Sequence, residues 1–390
     1  MKNVLLRGPV FSKSGYGEHT RQIYKYLLTK NVKIDVQPLN WGYTPWHLNQ
    51  KTMGGLIGQI QEDCRFNPDK KYDVTIQCQL PNEWDPNLGL YNVGVTAGVE
   101  TTTCNPTWTT LNVQNMSKVI VPSEFTKKTF LSNGLSTTTD IEVVPESYYE
   151  ELVEENINPL EEIESLPTSF NFLTVGVLTG NEPETDRKNL FYLIKWFVEE
   201  FRGEKDVGLV IKTNKGRDTE LDKIVTDRLL KKIKEELGNN SFPRIYLLHG
   251  EMPREDMTSL YKSRKIKAFI SATRGEGFGL PFLEAATAGL PVLATNWSAH
   301  TEFLNLGKWI SFDYDLKEVH PNKVDNNIFV PGAKWAEVKE EDFKNKIRNF
   351  YKKSTLPVQW AEGLSRKLRD GYSIDKIIER YDEVLGEFLS

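Results

Sequence analysis

Ala268-Phe-Ile-Ser-Ala-Thr-Arg-Gly-Glu-Gly-Phe-Gly-Leu-Pro-Phe-Leu-Glu-Ala-Ala-Thr-Ala-Gly-Leu-Pro-Val-Leu-Ala-Thr295 decides how this chain folds. Its first five residues are a short apolar run, the pattern of a buried strand. Gly275, Gly277 and Gly279 interrupt that run and let backbone approach a ligand closely. Pro281 suits a first helical position and Gly289 the residue just past a helix end. A second apolar run follows, so the stretch predicts strand, turn, helix, turn, strand, the repeating unit of a parallel sheet. The free amides of the turn then sit at a positive helix terminus that suits a phosphate or a sugar hydroxyl. Glu276 projects from that turn and Glu284 falls in the first helical turns, so both carboxylates can face one ligand.

Outward from this stretch the same alternation runs through the whole chain. Before it, strands are predicted at Val4–Leu6, Lys33–Val36, Val74–Gln77, Asn92–Thr96, Val119–Pro122 and Ile141–Val144. Ser123 is a plausible N-cap for the helical run that follows it. Residues 156–169 are polar and acidic with two prolines, which reads as an interdomain linker. A second series continues with strands Asn171–Val177, Gly208–Lys212, Arg244–Leu248 and Ala268–Ala272. Leu190, Leu193, Ile194, Phe197 and Phe201 follow helical spacing after Lys188. The expected fold is α/β: two doubly wound Rossmann-like domains facing across a cleft, with strand carboxyl ends toward it. The domains are expected at 1–155 and 170–365, joined by the linker, with a helical segment 366–390 packing back toward the first.

Composition bounds the function. The 390 residues are 39% hydrophobic and 26% charged, as in a globular chain with room for two domains. A net charge of −5 gives no general attraction for nucleic acid or acidic membrane. No stretch approaches the roughly 20 apolar residues that cross a bilayer, and the apolar run at the N-terminus is too short for a signal peptide. Cys64, Cys78 and Cys104 form no C-x-x-C pair and read as reduced thiols, so a cytoplasmic location is expected.

The frame Glu276-Gly-Phe-Gly-Leu-Pro…Glu284-Ala…Gly289-Leu-Pro-Val resembles the signature of retaining glycosyltransferases of the two-Rossmann-domain (GT-B) type, close to family 4. Thr185-Asp-Arg-Lys-Asn-Leu190 resembles a second motif of the same enzymes. The resemblance implies that Glu276 holds hydroxyls of the transferred sugar, supported by the amides of Gly277, Phe278, Gly279 and Leu280. It implies that Glu284 binds the nucleotide ribose, and that Arg187 and Lys188 face the diphosphate. His249, Gly250 and Met252 fall where the family places the nucleotide base. Relatives often carry an arginine directly after the glycine that ends the first strand of this domain, whereas here Gly176 is followed by Val177. Arg187 is expected to take over that duty. Front-face attack is the implied course, with the leaving diphosphate accepting the acceptor proton.

Several residues keep two readings at this stage. Lys212, at a strand end, either reaches the ligand or is structural. Gly15 and Gly17 resemble the family's glycine-rich first loop and would turn amides toward the donor, although any doubly wound domain can carry such a pair. Thr20 stands where a dinucleotide fingerprint needs its third glycine, which counts against a nicotinamide dehydrogenase. Glu100 either positions or deprotonates the acceptor hydroxyl or caps the following segment, and His19 is a second acid–base candidate. Trp41, Tyr43, Trp46, Trp84 and Trp108 offer ring faces for an acceptor sugar, or are core aromatics.

No cofactor and no metal are expected: Asp313-Tyr-Asp315 is a type of oxygen-ligand motif, but it lies beyond the signature helix, and the five histidines offer no zinc spacing. The expected donor is a nucleotide diphosphate sugar, UDP-sugar by frequency among similar enzymes, and the expected acceptor a glycan or other hydroxyl. A hydroxymethylated DNA base is an alternative acceptor. A sugar-nucleotide epimerase and a non-catalytic sugar-nucleotide-binding protein are further alternatives.

Overall fold

A computed structural model describes residues 1–133, 139–214, 216, 218–236, 238 and 242–390. The chain forms two compact units: Met1–Ser147 with Asp325–Val330 and Ile374–Ser390, and Tyr148–Val324 with Pro331–Ser373.

In the first unit the strands are β1 (Lys2–Gly8), β2 (Val32–Pro38), β3 (Tyr72–Cys78), β4 (Gly89–Val95), β5 (Lys118–Val121) and β6 (Asp140–Val143). They pair in parallel in the order β2-β1-β3-β4-β5-β6. Val4, Leu6, Val74, Ile76, Val93 and Val95 are buried in its core. Ser14 caps the helix Gly15–Leu28 by accepting from the Gly17 amide. The apolar side of that helix meets the C-terminal helix Ile374–Leu389, where Tyr26 stacks on Tyr381 with centroids 5.5 Å apart.

In the second unit β7 (Phe170–Val175), β8 (Val207–Thr213), β9 (Arg244–His249), β10 (Ile266–Ser271), β11 (Val292–Thr295) and β12 (Ile310–Phe312) form a parallel sheet in the order β12-β11-β10-β7-β8-β9. All of β8 is buried, as expected for a strand covered on both faces. The helix Leu190–Glu200 lays Leu193, Ile194 and Phe197 onto Phe172 and its neighbours. An antiparallel pair, β13 (Tyr314–Glu318) and β14 (Lys334–Val338), completes the unit. The strand order reverses between β7 and β10, which brings the loops after these two strands side by side. Ligands of doubly wound sheets bind at such a reversal.

Two boundaries differ from the sequence reading. The supposed linker 156–169 lies inside the second unit: it forms a helical turn, Glu161–Glu164, buries Ile163, and its Asn158 carbonyl accepts from Ser259 Oγ at 2.6 Å. The C-terminal helices divide at 373/374 rather than at 365/366. Leu364 and Leu368 are buried in the second unit's core, and Ser365 Oγ donates to the Thr287 carbonyl at 2.6 Å, so the helix Thr355–Gly371 belongs there.

Candidate functional site

The loop after β7 is held by Asp186. This fully buried carboxylate accepts from Thr179 N and Oγ1 at 3.1 and 2.8 Å and from Leu190 N at 2.8 Å. It thereby fixes the loop and satisfies the first turn of the helix Leu190–Glu200. Arg274, buried just beyond β10, ties this loop to the next. Its guanidinium donates to the Pro183 and Asp186 carbonyls at 2.6 and 2.8 Å and grips Glu337 with two bonds, at 2.9 and 3.0 Å. Its amide donates to the Arg187 carbonyl at 2.8 Å. We expect Arg274→Ala to cost the second unit about 3–5 kcal/mol, because it removes a buried guanidinium and leaves the partly buried Glu337 carboxylate and two carbonyls without it. Denaturant unfolding monitored in the second unit measures this, and a loss below about 1 kcal/mol would refute the clamp.

On this frame the motif residues converge. Lys188 Nζ bonds both oxygens of Glu276, at 2.7 and 2.8 Å, and Arg187 Nη1 lies 3.2 Å from one of them. Arg187 Nη1 also donates to the Gly275 carbonyl at 2.6 Å, and Thr273 Oγ1 donates to Glu276 at 2.7 Å. Glu276 is 4% exposed. Burial alone would raise its carboxyl, but the Lys188 and Arg187 charges, with hydrogen bonds from Lys188 and Thr273, hold it down to about 2. The Lys188 stem passes over Gly176, where even a Cβ would make only ordinary contact with it at 3.6 Å. Val177, which follows Gly176, is half exposed.

The turn itself is set by Gly279, whose φ of +103° precedes the helix Leu280–Thr287 and whose absent Cβ would come within 2.9 Å of His300 Cβ. Pro281 is the second helical residue, not the first, and Gly289 follows the helix end with φ +86°. Phe278 packs its ring against Phe303 at 5.4 Å, which leaves its peptide, not its side chain, for a ligand. Beneath the turn Ser298, held at φ +79°, accepts from the Glu276 amide at 2.9 Å and lies 3.4 Å from His300 Nδ1. His300 Nε2 faces the Thr295 carbonyl at 2.8 Å, so Nε2 carries the proton, and the ring stacks on Phe282 at 4.4 Å. Burial pushes this imidazole down to about 4 from 6.5. A folded-state value below the unfolded one means the unfolded chain takes up the proton first. His300 therefore stabilises the fold fully above pH 6.5 and loses that contribution as pH falls toward 4, worth about 3 kcal/mol. Stability measured against pH is expected to drop across this window, with a shallower slope in His300→Gln.

Glu284, on the same helix, accepts from Tyr261 Oη at 3.0 Å. Lys212 is the last residue but one of β8, and its ammonium is buried against the Gly250 carbonyl. It therefore shapes the turn His249–Met252, as do Gly250 at φ +98° and Asp218, which accepts from the Glu251 amide at 3.0 Å. His249 lies in that turn, its imidazole lowered by burial.

In the first unit several expectations need correcting. His19 is 1% exposed, pushed down to about 4 by burial and bonded to Tyr381 Oη at 2.8 Å, so it is a core residue and no acid–base group. Gly17 lends its amide to Ser14, and a Cβ on it would fall 2.0 Å from the Ser12 carbonyl oxygen; packing, not a phosphate, requires it. Gly15 opens the same helix. Trp84 and Trp108 are buried, Trp84 lying flat on Gly94, so neither offers a face to an acceptor. Trp41 stacks on Tyr16 at 4.0 Å, Trp46 tilts against Phe11 at 5.8 Å, and Tyr43 is exposed. Tyr16 Oη bonds Thr96 Oγ1 at 2.8 Å and the Ala97 amide at 3.0 Å, fixing the loop that carries half-buried Glu100. Asp313 and Asp315 pair with Lys346 and Lys339.

Solved structures place this architecture. The chain is similar over 99% of its length to HepE of Anabaena in complex with UDP-glucose, at 13% identity and TM-score 0.65, covering all of that chain. Sucrose-phosphate synthase of Thermosynechococcus elongatus is similar at 12% identity and TM-score 0.65, with 99% of each chain covered. A glycosyltransferase of Rickettsia africae aligns at 15% identity and TM-score 0.62, over 100% of this chain and 99% of that one. The fold is GT-B. Residues 185–319, which hold Arg187, Lys188, Glu276 and Glu284, match the family glycosyl transferases group 1. A sucrose synthase of Melioribacter roseus is 27% identical over 129 residues, 31% of this chain. The match spans only 16% of that relative's length. The family match and the GT-B fold together support a glycosyltransferase.

Sequence reasoning missed Asp186, Thr273, Arg274, Ser298, His300 and Tyr261. Thr273 and Arg274 lie inside the stretch that decided the fold, just past a strand end at the sheet's reversal, and strand order alone would have drawn attention to them.

Proposed function

We propose that the protein is a retaining glycosyltransferase of family 4 type that moves a sugar from a nucleotide diphosphate donor, UDP-sugar in the first instance, to a hydroxyl of a glycan. The observation that carries this reading is the cluster of Lys188, Arg187 and Glu276 at the reversal of the sheet, below a helix start. Two cations beside the amides of Gly277–Leu280 suit negative charge developing on a leaving diphosphate. Glu276, held ionised, suits the sugar hydroxyls and the positive charge growing at the anomeric carbon. Glu284 takes the ribose, and the turn His249–Met252 takes the base.

In this course the bond from the anomeric carbon to the diphosphate oxygen breaks, and the acceptor oxygen bonds the same face. The departing diphosphate accepts the acceptor's proton. The cations serve the charge that a metal ion serves in other transferases, so the reaction is proposed to need no metal and no cofactor. Trp41, Tyr43 and Trp46 remain the proposed acceptor-side rings and Glu100 the proposed group for the acceptor hydroxyl. The three cysteines are unpaired, which agrees with a reducing, cytoplasmic setting.

The test is hydrolysis of a panel of nucleotide sugars with chelator present and no acceptor, wild type against Glu276→Ala. Slow release of one nucleoside diphosphate, lost in the variant, supports the reading. Absence of binding and hydrolysis for every donor would overturn it in favour of a non-catalytic sugar-binding role.

A further inference from the structure

Glu284 is one of two carboxylates in the signature turn and helix, and its surroundings differ from those of Glu276. Lys188 and Arg187 bond Glu276, whereas Tyr261 Oη donates to Glu284 Oε2 at 3.0 Å. Tyr261 sits on the helix Arg254–Lys262 and is 1% exposed. Tyr149 packs beside it from the segment before β7, its ring 5.4 Å from the Arg254 guanidinium. Burial and the Glu284 charge push both phenols well above their ordinary value. Tyr261 therefore stays protonated and its hydroxyl can only donate to the carboxylate, not compete with it.

A carboxylate on a flexible glutamate gains selectivity for a diol only when its plane is fixed, because both ribose hydroxyls must meet oxygens together. We propose that Tyr261 is a positioning residue that fixes Glu284 to read the 2′- and 3′-hydroxyls of the nucleotide, and so sets the preference for a ribonucleotide over a deoxyribonucleotide. The inference rests on Glu284 as the ribose-binding group. A hydroxyl removed from a fully buried ring leaves the ring's packing in place, so Tyr261→Phe isolates the positioning effect.

The experiment measures binding of UDP and 2′-deoxy-UDP by calorimetry, and kcat and KM for the donor, in wild type, Glu284→Ala, Tyr261→Phe and Tyr261→Leu. Wild type is expected to prefer UDP by about tenfold or more, from one diol bond to a charged acceptor. Glu284→Ala is expected to lose the preference. Both Tyr261 variants are expected to reduce it to about twofold, raising KM for the ribonucleotide donor with kcat within about twofold of wild type. Retention of the full preference in whichever Tyr261 variant folds would overturn the positioning role, as would equal weakening of both nucleotides, which is the mark of packing alone. A wild type that binds UDP without any preference would instead overturn the ribose reading of Glu284, and with it this inference.

Discussion

Glu276→Gln is expected to cut sugar transfer by about 10²–10³-fold while binding free UDP about tenfold more tightly than wild type. Both effects come from one geometry. Lys188 spends its ammonium on both oxygens of Glu276, and Arg187 spends a nitrogen on one of them. A diphosphate has to draw these cations partly away from a carboxylate that is buried and held ionised at about 2. Glutamine keeps the shape and one acceptor oxygen but removes the competing charge, so the cations turn to the ligand more readily. The same change removes the charge proposed to face the sugar, which is why turnover falls as affinity rises. Calorimetry with UDP and single-turnover transfer read the two sides separately. Weaker UDP binding in Glu276→Gln would mean that the carboxylate organises the cations instead of competing with the donor.

How far the sequence carries this picture depends on what kind of signal each residue leaves. The strands were legible because parallel sheets bury continuous apolar runs, and β8 is buried along its whole length. The turn at Gly279 was legible because only a residue without Cβ fits its φ and the approach of His300. Lys188 and Glu276 could each be picked out, but their contact spans 88 residues of chain and follows from strand order, which local pattern does not state. Arg274 escaped for the same reason, since the three residues that its guanidinium bonds come from the loop after β7 and from β14. Trp84 misled because an aromatic in a polar loop gives no hint of a flat glycine floor at Gly94, ten residues on. His19 misled less excusably: it shares a helical face with Ile23 and Tyr26, both fully buried, and that spacing already pointed inward. The linker reading failed because prolines and acids mark a surface path, and a surface path can still cross the outside of one compact unit while dropping a single side chain, Ile163, into its core.

Lys188→Met is expected to weaken UDP binding by at least tenfold and turnover by about 10²–10³-fold, the opposite sign of the affinity change in Glu276→Gln. Methionine preserves the stem that packs over Gly176 but leaves Glu276 with one cation fewer in a buried site. The desolvation that the lysine had outweighed then acts more strongly, and the carboxyl rises above its present value of about 2. A sign follows for pH. A carboxyl lowered in the folded state contributes stability that is complete above its ordinary value of 4.5 and disappears as pH falls toward 2. Raising it narrows that window, so the variant is expected to lose stability at neutral pH and to show a weaker dependence on acid below pH 4.5. Its residual activity is also expected to fall off at higher pH than that of wild type, because Glu276 takes up a proton sooner. Unfolding curves and donor hydrolysis between pH 3 and 7 measure both limbs. An unchanged acid limb would mean that Arg187 and Thr273 alone keep Glu276 ionised, and that Lys188 acts on the diphosphate without a part in setting the carboxylate's charge.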